Sequence, residues 1–386
     1  MIYYGTKVYD EEWKLIDEVP DFKTGNNYLL TDDVLAILTD EGEGAKIIFV
    51  DPEKKTYMGQ CVLSEDVPSY SYRLVGSYDG TFYAAVSKGL VLRIIKIDLS
   101  GMTLEEEVIN EDYSKYEPYC FLKNGKLVYL DTGEGFEYII VRRDLSTGEE
   151  KKVKFNTAFN NIYYIEASDS VYVDADTDLL ADMNEEKITE IDLGEDFGDA
   201  SLVTSNSDGS IIAISDDEYI KLIGRDGEEL GEIFCGGVAP MDMTFINVNG
   251  KEIIVVAYTN GTLYRYDAGS FEFLGKSDLT VLGTSFVSNK AFDYDSENGL
   301  LYFKNSDITD VVETDTWVEV ISIYNSFGHD KKTDTFLTYG YDNNSSEGVV
   351  GYFKHYSVDE LIQKTKDYLH GEEVSVEQKS TYGITG

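Results

Sequence analysis

Short runs of Val, Ile, Leu, Phe and Tyr alternate with clusters of Gly, Asn, Asp and Ser along most of the chain. This pattern predicts short β-strands joined by tight turns. The stretch 77–107 is representative. Ser77-Tyr-Asp-Gly80 is a turn built on an Asp-Gly pair, which tolerates left-handed backbone. Phe82–Val86 follows as a strand, Ser87-Lys-Gly89 as a second turn, Leu90–Ile97 as a long strand and Leu104–Val108 as another. The same scheme recurs at Phe121–Asp131, Ser205–Ser215 and Val248–Tyr258.

A repeat emerges from the turns. An apolar strand that ends in Asp, followed by polar residues with Gly or Thr, occurs at Asp10, Asp51, Asp98, Asp144, Asp226 and Asp267, with weaker copies at Asn184 and Asp315. The copies lie roughly 40–48 residues apart, the range of propeller repeats. An Asp there folds its side chain onto the following amides and starts the turn. Units of about 40–50 residues holding four short strands each predict the blades of a β-propeller. Second strands are expected near Val34, Phe82, Lys126, Val171, Ile211, Glu252, Leu300 and Thr335. The expected fold is therefore all-β, an eight-bladed propeller, with seven blades as the alternative.

The chain ends bear on closure. Ile2–Tyr9 and Trp13–Val19 lack an opening partner, and Thr335–Tyr339 and Val349–His355 lack a closing one. Pairing them would complete one blade and remove two exposed edges, with one strand left over. The propeller is expected over 1–356.

Residues 357–386 break the pattern and are expected to form a helical tail packed on the propeller. Ser357-Val-Asp-Glu360 and Ser375-Val-Glu-Gln378 are capping boxes. Leu361, Ile362, Thr365, Tyr368 and Leu369 share one helical face, and Gly371 ends that helix. The stretch from Asp359-Glu-Leu-Ile through Gly371, Val374-Ser-Val-Glu-Gln378 and Tyr382-Gly-Ile384 resembles the tail of bacterial WD-repeat-like propellers. The resemblance implies a recognition or sensor module of a signalling or defence system. Glu372 stands where that group usually has Arg and Ser375 where it has Thr, and no Trp-Asp dipeptide occurs.

Charge narrows the partners. With 32 basic and 73 acidic residues, the net charge is −41. Such a surface repels nucleic acid and anionic lipid and attracts cationic segments. No apolar run approaches the roughly 18 residues of a spanning helix. The N-terminus lacks the basic and apolar regions of a signal peptide. Cys61, Cys120 and Cys235 are far apart and form no Cys-x-x-Cys, so each is expected to be a small buried hydrophobe in a reducing compartment. A cytoplasmic monomer without cofactor or membrane insertion is the resulting expectation.

Candidate chemistry is sparse. His329, His355 and His370 show no zinc spacing. Asp293-Tyr-Asp295-Ser-Glu297-Asn298-Gly299 begins like a calcium loop, but Gly is displaced by one position and no Glu follows at the twelfth place, which favours a hairpin. Asp174-Ala-Asp176-Thr-Asp178 reads as another loop between strands. No nucleophile elbow, Walker loop or dinucleotide fingerprint occurs. The segments leading into the inner strands are richer: Tyr70-Ser-Tyr72-Arg73, Tyr116-Glu-Pro-Tyr119, Asn161-Ile-Tyr163, Pro240-Met241, Phe286 and Phe327-Gly-His329. Tyr72, Arg73, Tyr119, Tyr163, Met241 and His329 are expected to rim one mouth and bind a protein or peptide, unless they pack between blades. The competing expectation is a hydrolase or lyase with acidic residues in the channel.

Overall fold

Seven times in succession the chain folds into an antiparallel meander of four strands whose order in the sheet follows their order in sequence. The computed structural model describes residues 28–279 and 292–354, apart from 41–43, 55, 65–66, 114, 116–117, 134, 136, 306–307, 331 and 342–347, together with three short strands nearer the N-terminus. The seven blades span 28–64, 72–110, 120–155, 159–191, 202–234, 240–278 and 292–324. Their first strands are Tyr28–Leu30, Tyr72–Tyr78, Cys120–Lys123, Phe159–Ile165, Leu202–Ser205, Pro240–Val248 and Phe292–Asp295. Most neighbouring first strands lie against one another, which makes them the inner strands.

Second strands carry unbroken buried runs, such as Leu35–Leu38, Val171–Val173 and Ile253–Tyr258. Stacked blades cover both faces of a sheet, so alternation gives way to continuous apolar sequence. Each fully buried Leu, Ile, Val or Phe side chain contributes roughly 1.5–3 kcal/mol. The fourth strands Thr103–Asn110 and Glu150–Phe155 are about half exposed and rich in charge, which blunts the open edges of those two blades.

The repeating acid closes the third strand of every blade but the fifth, where that strand ends at Gly224 and Asp226 follows two residues later. Asp144 Oδ1 accepts from the amides of Ser146 and Thr147 at 2.9 and 3.1 Å, and Asp267 Oδ1 from Gly269 and Ser270 at 2.9 and 2.8 Å. Four residues after the acid the backbone turns left-handed, at Met102, Gly148 and Phe271. Glu186 and Trp317 share that conformation, so the weaker copies are Asp182 and Glu313, each two residues before the expected Asn184 and Asp315. Asp182 Oδ1 accepts from the Asn184 amide at 2.8 Å.

The blade count differs from the main expectation. Seven four-stranded blades form, not eight. All eight expected second strands exist, but the last, Thr335–Tyr341, lies in a three-stranded sheet with Ser326–Asp330 and Gly348–Lys354. That sheet packs on the first blade. Phe327, Leu337, Val350 and Tyr352 bury against Leu35, Ile37, Ile48 and Val50. Near the N-terminus, Ile2–Tyr4, Lys7–Tyr9 and Leu15–Glu18 pair only with each other among the described residues, although Lys7–Tyr9 lies near Gly348–Lys354. The expected turn at Asp10 and the expected helical tail lie outside the described residues.

All three cysteines are buried and free. Burial pushes the Cys120 thiol up to about 12 and the Cys235 thiol up to about 11. Among the described residues no helix is long and apolar enough to cross a membrane.

Candidate functional site

The six rim candidates do not form one open ring. Tyr72 is buried in the cluster that joins the first two blades. Tyr119, 8% exposed, packs edge-on against Phe159 of the next blade at 5.7 Å. The Arg73 guanidinium lies over the Phe121 ring at 4.7 Å, again bridging two blades. Met241 is half-buried against the cluster between the sixth and seventh blades. His329 belongs to the opposite end of its strand, where it pairs with Phe336 next to the hairpin. Its ring stacks on Tyr302 at 4.1 Å, and Nε2 meets Asp334 at 3.0 Å. The physical reason is common to all of these. A wedge-shaped seam between blades needs large side chains to fill it, and the seams take most of them. Tyr116 and Phe286 lie outside the described residues.

Tyr163 is the exception that leads to a site. The inner strand Phe159–Ile165 skips one residue in its ladder, pairing Phe159 with Ala175 and Asn161 with Asp174, so Asn160 is bulged out. A bulge re-aims its side chain. Asn160 Nδ2 donates to Asp199 Oδ1 at 2.9 Å, in the loop that enters the fifth blade. Tyr163 Oη donates to the Ala200 carbonyl at 2.7 Å and accepts from Asn161 Nδ2 at 3.0 Å. Tyr119 Oη reaches the Asn160 carbonyl at 3.4 Å, which links the third blade to the same seam.

Three carboxylates gather there. Asp174 is the next-to-last residue of the second strand of the fourth blade, Asp178 begins its third, and Asp199 comes from the loop after that blade. Asp174 is buried. Burial pushes it up to about 6, and the charges of Asp178 and Asp199 add to the rise against a backbone bond from Ala200. Burial also raises Asp178, whose Oδ1 accepts the Ala175 amide at 3.2 Å. Among the described residues no Lys or Arg pairs with any of the three. Tyr172, wholly buried, packs beside Tyr163 with ring centroids 6.1 Å apart, and its hydroxyl lies against Asp178. Burial and the charges of Asp178 and Asp174 raise that hydroxyl well above the usual phenol range.

Asp174 and Asp178 stand out in the sequence as an acidic loop. Asn160, Tyr172 and Asp199 do not. The ladder skip that exposes Asn160 has a sequence counterpart only in the doubled Asn160-Asn161, and Asp199 lies in an unremarkable polar loop. The other acidic candidates resolve as turns. Asp295 Oδ1 accepts from the amides of Glu297 and Asn298 at 2.9 and 3.2 Å, as a hairpin requires. Among the described residues no three His, Cys, Asp or Glu side chains converge to hold a metal ion. An acidic cleft of about 530 Å³ lies at the hairpin ends of the first two blades, lined by Asp32, Asp51, Asp79 and Asp98 with Lys54 and Lys332. Asp51 and Asp98 there already cap their own turns, accepting the amides of Lys54 and Ser100 at 2.8 and 2.9 Å.

No protein-family model matches the chain. No curated protein matches it either. Among solved structures it is similar to the dihydro-heme d1 dehydrogenase NirN in complex with DHE, at 12% identity over 91% of this chain and 78% of that one, with a TM-score of 0.56. It is similar to apo AztD from Citrobacter koseri at 10% identity, covering 84% and 89%, with a TM-score of 0.53. Saccharomyces cerevisiae Sqt1 matches at 13% identity over 71% and 79%, with a TM-score of 0.48, too loose to carry an argument. At such identities the first two likenesses speak to architecture alone. With the seven four-stranded blades, they make the chain a β-propeller.

Proposed function

We propose that the chain is a non-catalytic recognition module that binds a protein or peptide partner through a cationic segment at the mouth between the fourth and fifth blades. The observation that carries this reading is the gathering of Asp174, Asp178 and Asp199 beside Tyr163 with no basic partner among the described residues. A net charge of −41 draws in a cationic segment, and the aromatic seam supplies apolar contact once it arrives. The resemblance of the tail to WD-repeat-like propellers points the same way.

The test is a labelled pool of Lys- and Arg-rich peptides, with an acidic pool and duplex DNA as controls. The basic pool should associate fast at about 50 mM salt and slower at about 300 mM, as screening shortens the reach of the charge. Duplex DNA should show no binding at physiological salt. Failure of the basic pool at low salt, or equal binding of the acidic pool, overturns the reading.

One observation favours a second reading, a hydrolase or lyase. Burial pushes Asp174 up to about 6 beside Asp178, and a carboxyl raised toward neutral pH suits acid–base chemistry. Turnover of glycoside or ester substrates that disappears in Asp174→Asn would select it.

We place the chain in the cytoplasm as a monomer, with residues 357–386 as a helical tail on the propeller. Buried, unpaired cysteines suit a reducing compartment, and charged outer strands oppose edge-to-edge association.

A further inference from the structure

We infer that the outer edge of the seventh blade takes an extended segment of a partner protein as an added strand, one with alternating apolar residues and lysine or arginine at its ends. The site lies on the circumference of the propeller and is independent of the mouth between the fourth and fifth blades.

The other blades protect their outer edges in one of two ways. The fourth strands of the second to sixth blades each carry at least two charged side chains, as in Thr103–Asn110 with its three successive glutamates. Charge on an edge discourages pairing with another strand. The fourth strand of the first blade, Thr56–Ser64, has no charged residue, and there the chain lays a strand of its own, Leu15–Glu18, against it. The fourth strand of the seventh blade, Val318–Tyr324, has neither protection. Its single charged residue is Glu319. Val318, Val320 and Tyr324 are 58%, 50% and 61% exposed. Among the described residues no strand pairs with its outer side, and the sheet that follows it in the ring has three strands rather than four. An apolar edge of this kind is a template for another strand, as the first blade illustrates within the same molecule.

The backbone there is suited to pairing. The ladder to the third strand skips Val320 and then runs in plain register from Ile321 to Tyr324. In such a ladder alternate N–H and C=O groups point away from the partner, toward the open side. An added strand satisfies them, and its apolar side chains cover the exposed valines and tyrosine. Apolar surface continues onto the sixth blade, where Phe273 and Leu274 are exposed on the fourth strand. Ser277 Oγ of that strand donates to the Trp317 carbonyl at 2.7 Å, which ties the two edges together.

Charge selects the occupant. The turn that feeds the strand carries Glu313 and Asp315, and the strand itself Glu319. On a chain of net charge −41, a second copy would bring the same acids face to face, and like charges oppose that pairing. A segment with basic ends meets them with opposite charge.

The test is titration of the intact chain, followed by NMR and hydrogen exchange, with a short peptide of alternating valine and threonine ended by paired lysines. The same peptide ended by glutamates, and a lysine-ended version with methylated backbone nitrogens, are the controls. The lysine-ended peptide should bind, slow amide exchange in 318–324, and bind more weakly as salt rises. Methylation removes the donors that an added strand needs, so the methylated version should not bind. Val320→Lys and Tyr324→Lys together should abolish binding and leave the melting temperature unchanged, because both side chains are exposed. Absence of binding at low salt overturns the assignment, as does equal binding of the methylated or the glutamate-ended peptide. Slowed exchange confined to 159–200 would put the peptide at the mouth and overturn it. A dimer of the free chain that Val320→Lys dissociates would give the edge to a second copy and overturn it as well.

Discussion

Arg142 of the third blade and Asp169 of the fourth form an ion pair across their seam, both nearly excluded from solvent. Lys126 adds a second cation at 2.9 Å, and Tyr164 Oη donates to the free carboxylate oxygen at 3.0 Å. Asp169 itself sits in a left-handed turn that presents it to the neighbouring blade. The pair latches two blades whose residues are far apart in sequence.

Asp169→Asn should therefore be strongly destabilising, by about 3–5 kcal/mol, because it leaves two cations without their counter-charge. Burial alone would raise Asp169, but the bonds from Lys126 and Tyr164 and the charge of Arg142 outweigh it and hold the group below its usual value. The latch is then at full strength above the ordinary aspartate range and fades as pH falls through that lowered value. Urea unfolding at pH 7 and near pH 3 checks both points. A variant as stable as the parent at pH 7 would rule the latch out.

Asp310 should behave in the opposite sense. It lies in the third strand of the seventh blade, fully buried, opposite Ser322. Burial pushes it up to about 6, with Ser322 lowering it and the charge of Glu319 raising it. A carboxyl with a raised native value stabilises the fold when protonated, and that contribution is lost as pH rises from the unfolded value through about 6. Asp310→Asn should raise stability at pH 7.5 by up to about 3 kcal/mol, at roughly 1.4 kcal/mol per unit. The gain should vanish near pH 4. Melting curves across that range decide it, and a lower melting temperature for the variant at pH 7.5 would sink the idea.

Closure depends on Phe327. Its ring meets Tyr28 edge-on at 4.8 Å and anchors the three-stranded sheet to the first blade. Phe327→Ala should cost about 3–5 kcal/mol. Hydrogen exchange should quicken first in 326–339 and 28–50, the two sides of that seam. Exchange that quickens uniformly around the ring would place closure elsewhere.

Much of this architecture is legible in the residues. Asp98, Asp144 and Asp267 mark third-strand ends because their side chains satisfy the turn they start. The second strands are legible because burial on both faces writes them as continuous apolar runs. The weaker copies at Asn184 and Asp315 show the limit. A local pattern of polar residues tolerates a shift of two, and only the left-handed residues Glu186 and Trp317 fix the register.

By itself, then, the sequence determined the repeat, the β-strands, the acidic surface and the buried thiols, all of which depend on neighbours within one turn or one hairpin. The tertiary structure decided the rest. It placed Thr335–Tyr341 in a three-stranded sheet, so that seven blades are complete. It sank Tyr72 and Tyr119 into seams and carried His329 to the far end of its strand. It brought Asp199 to Asp174 through the bulge at Asn160. Each of these outcomes is a contact between consecutive blades, set by how one sheet stacks on the next. No local run of residues encodes that stacking.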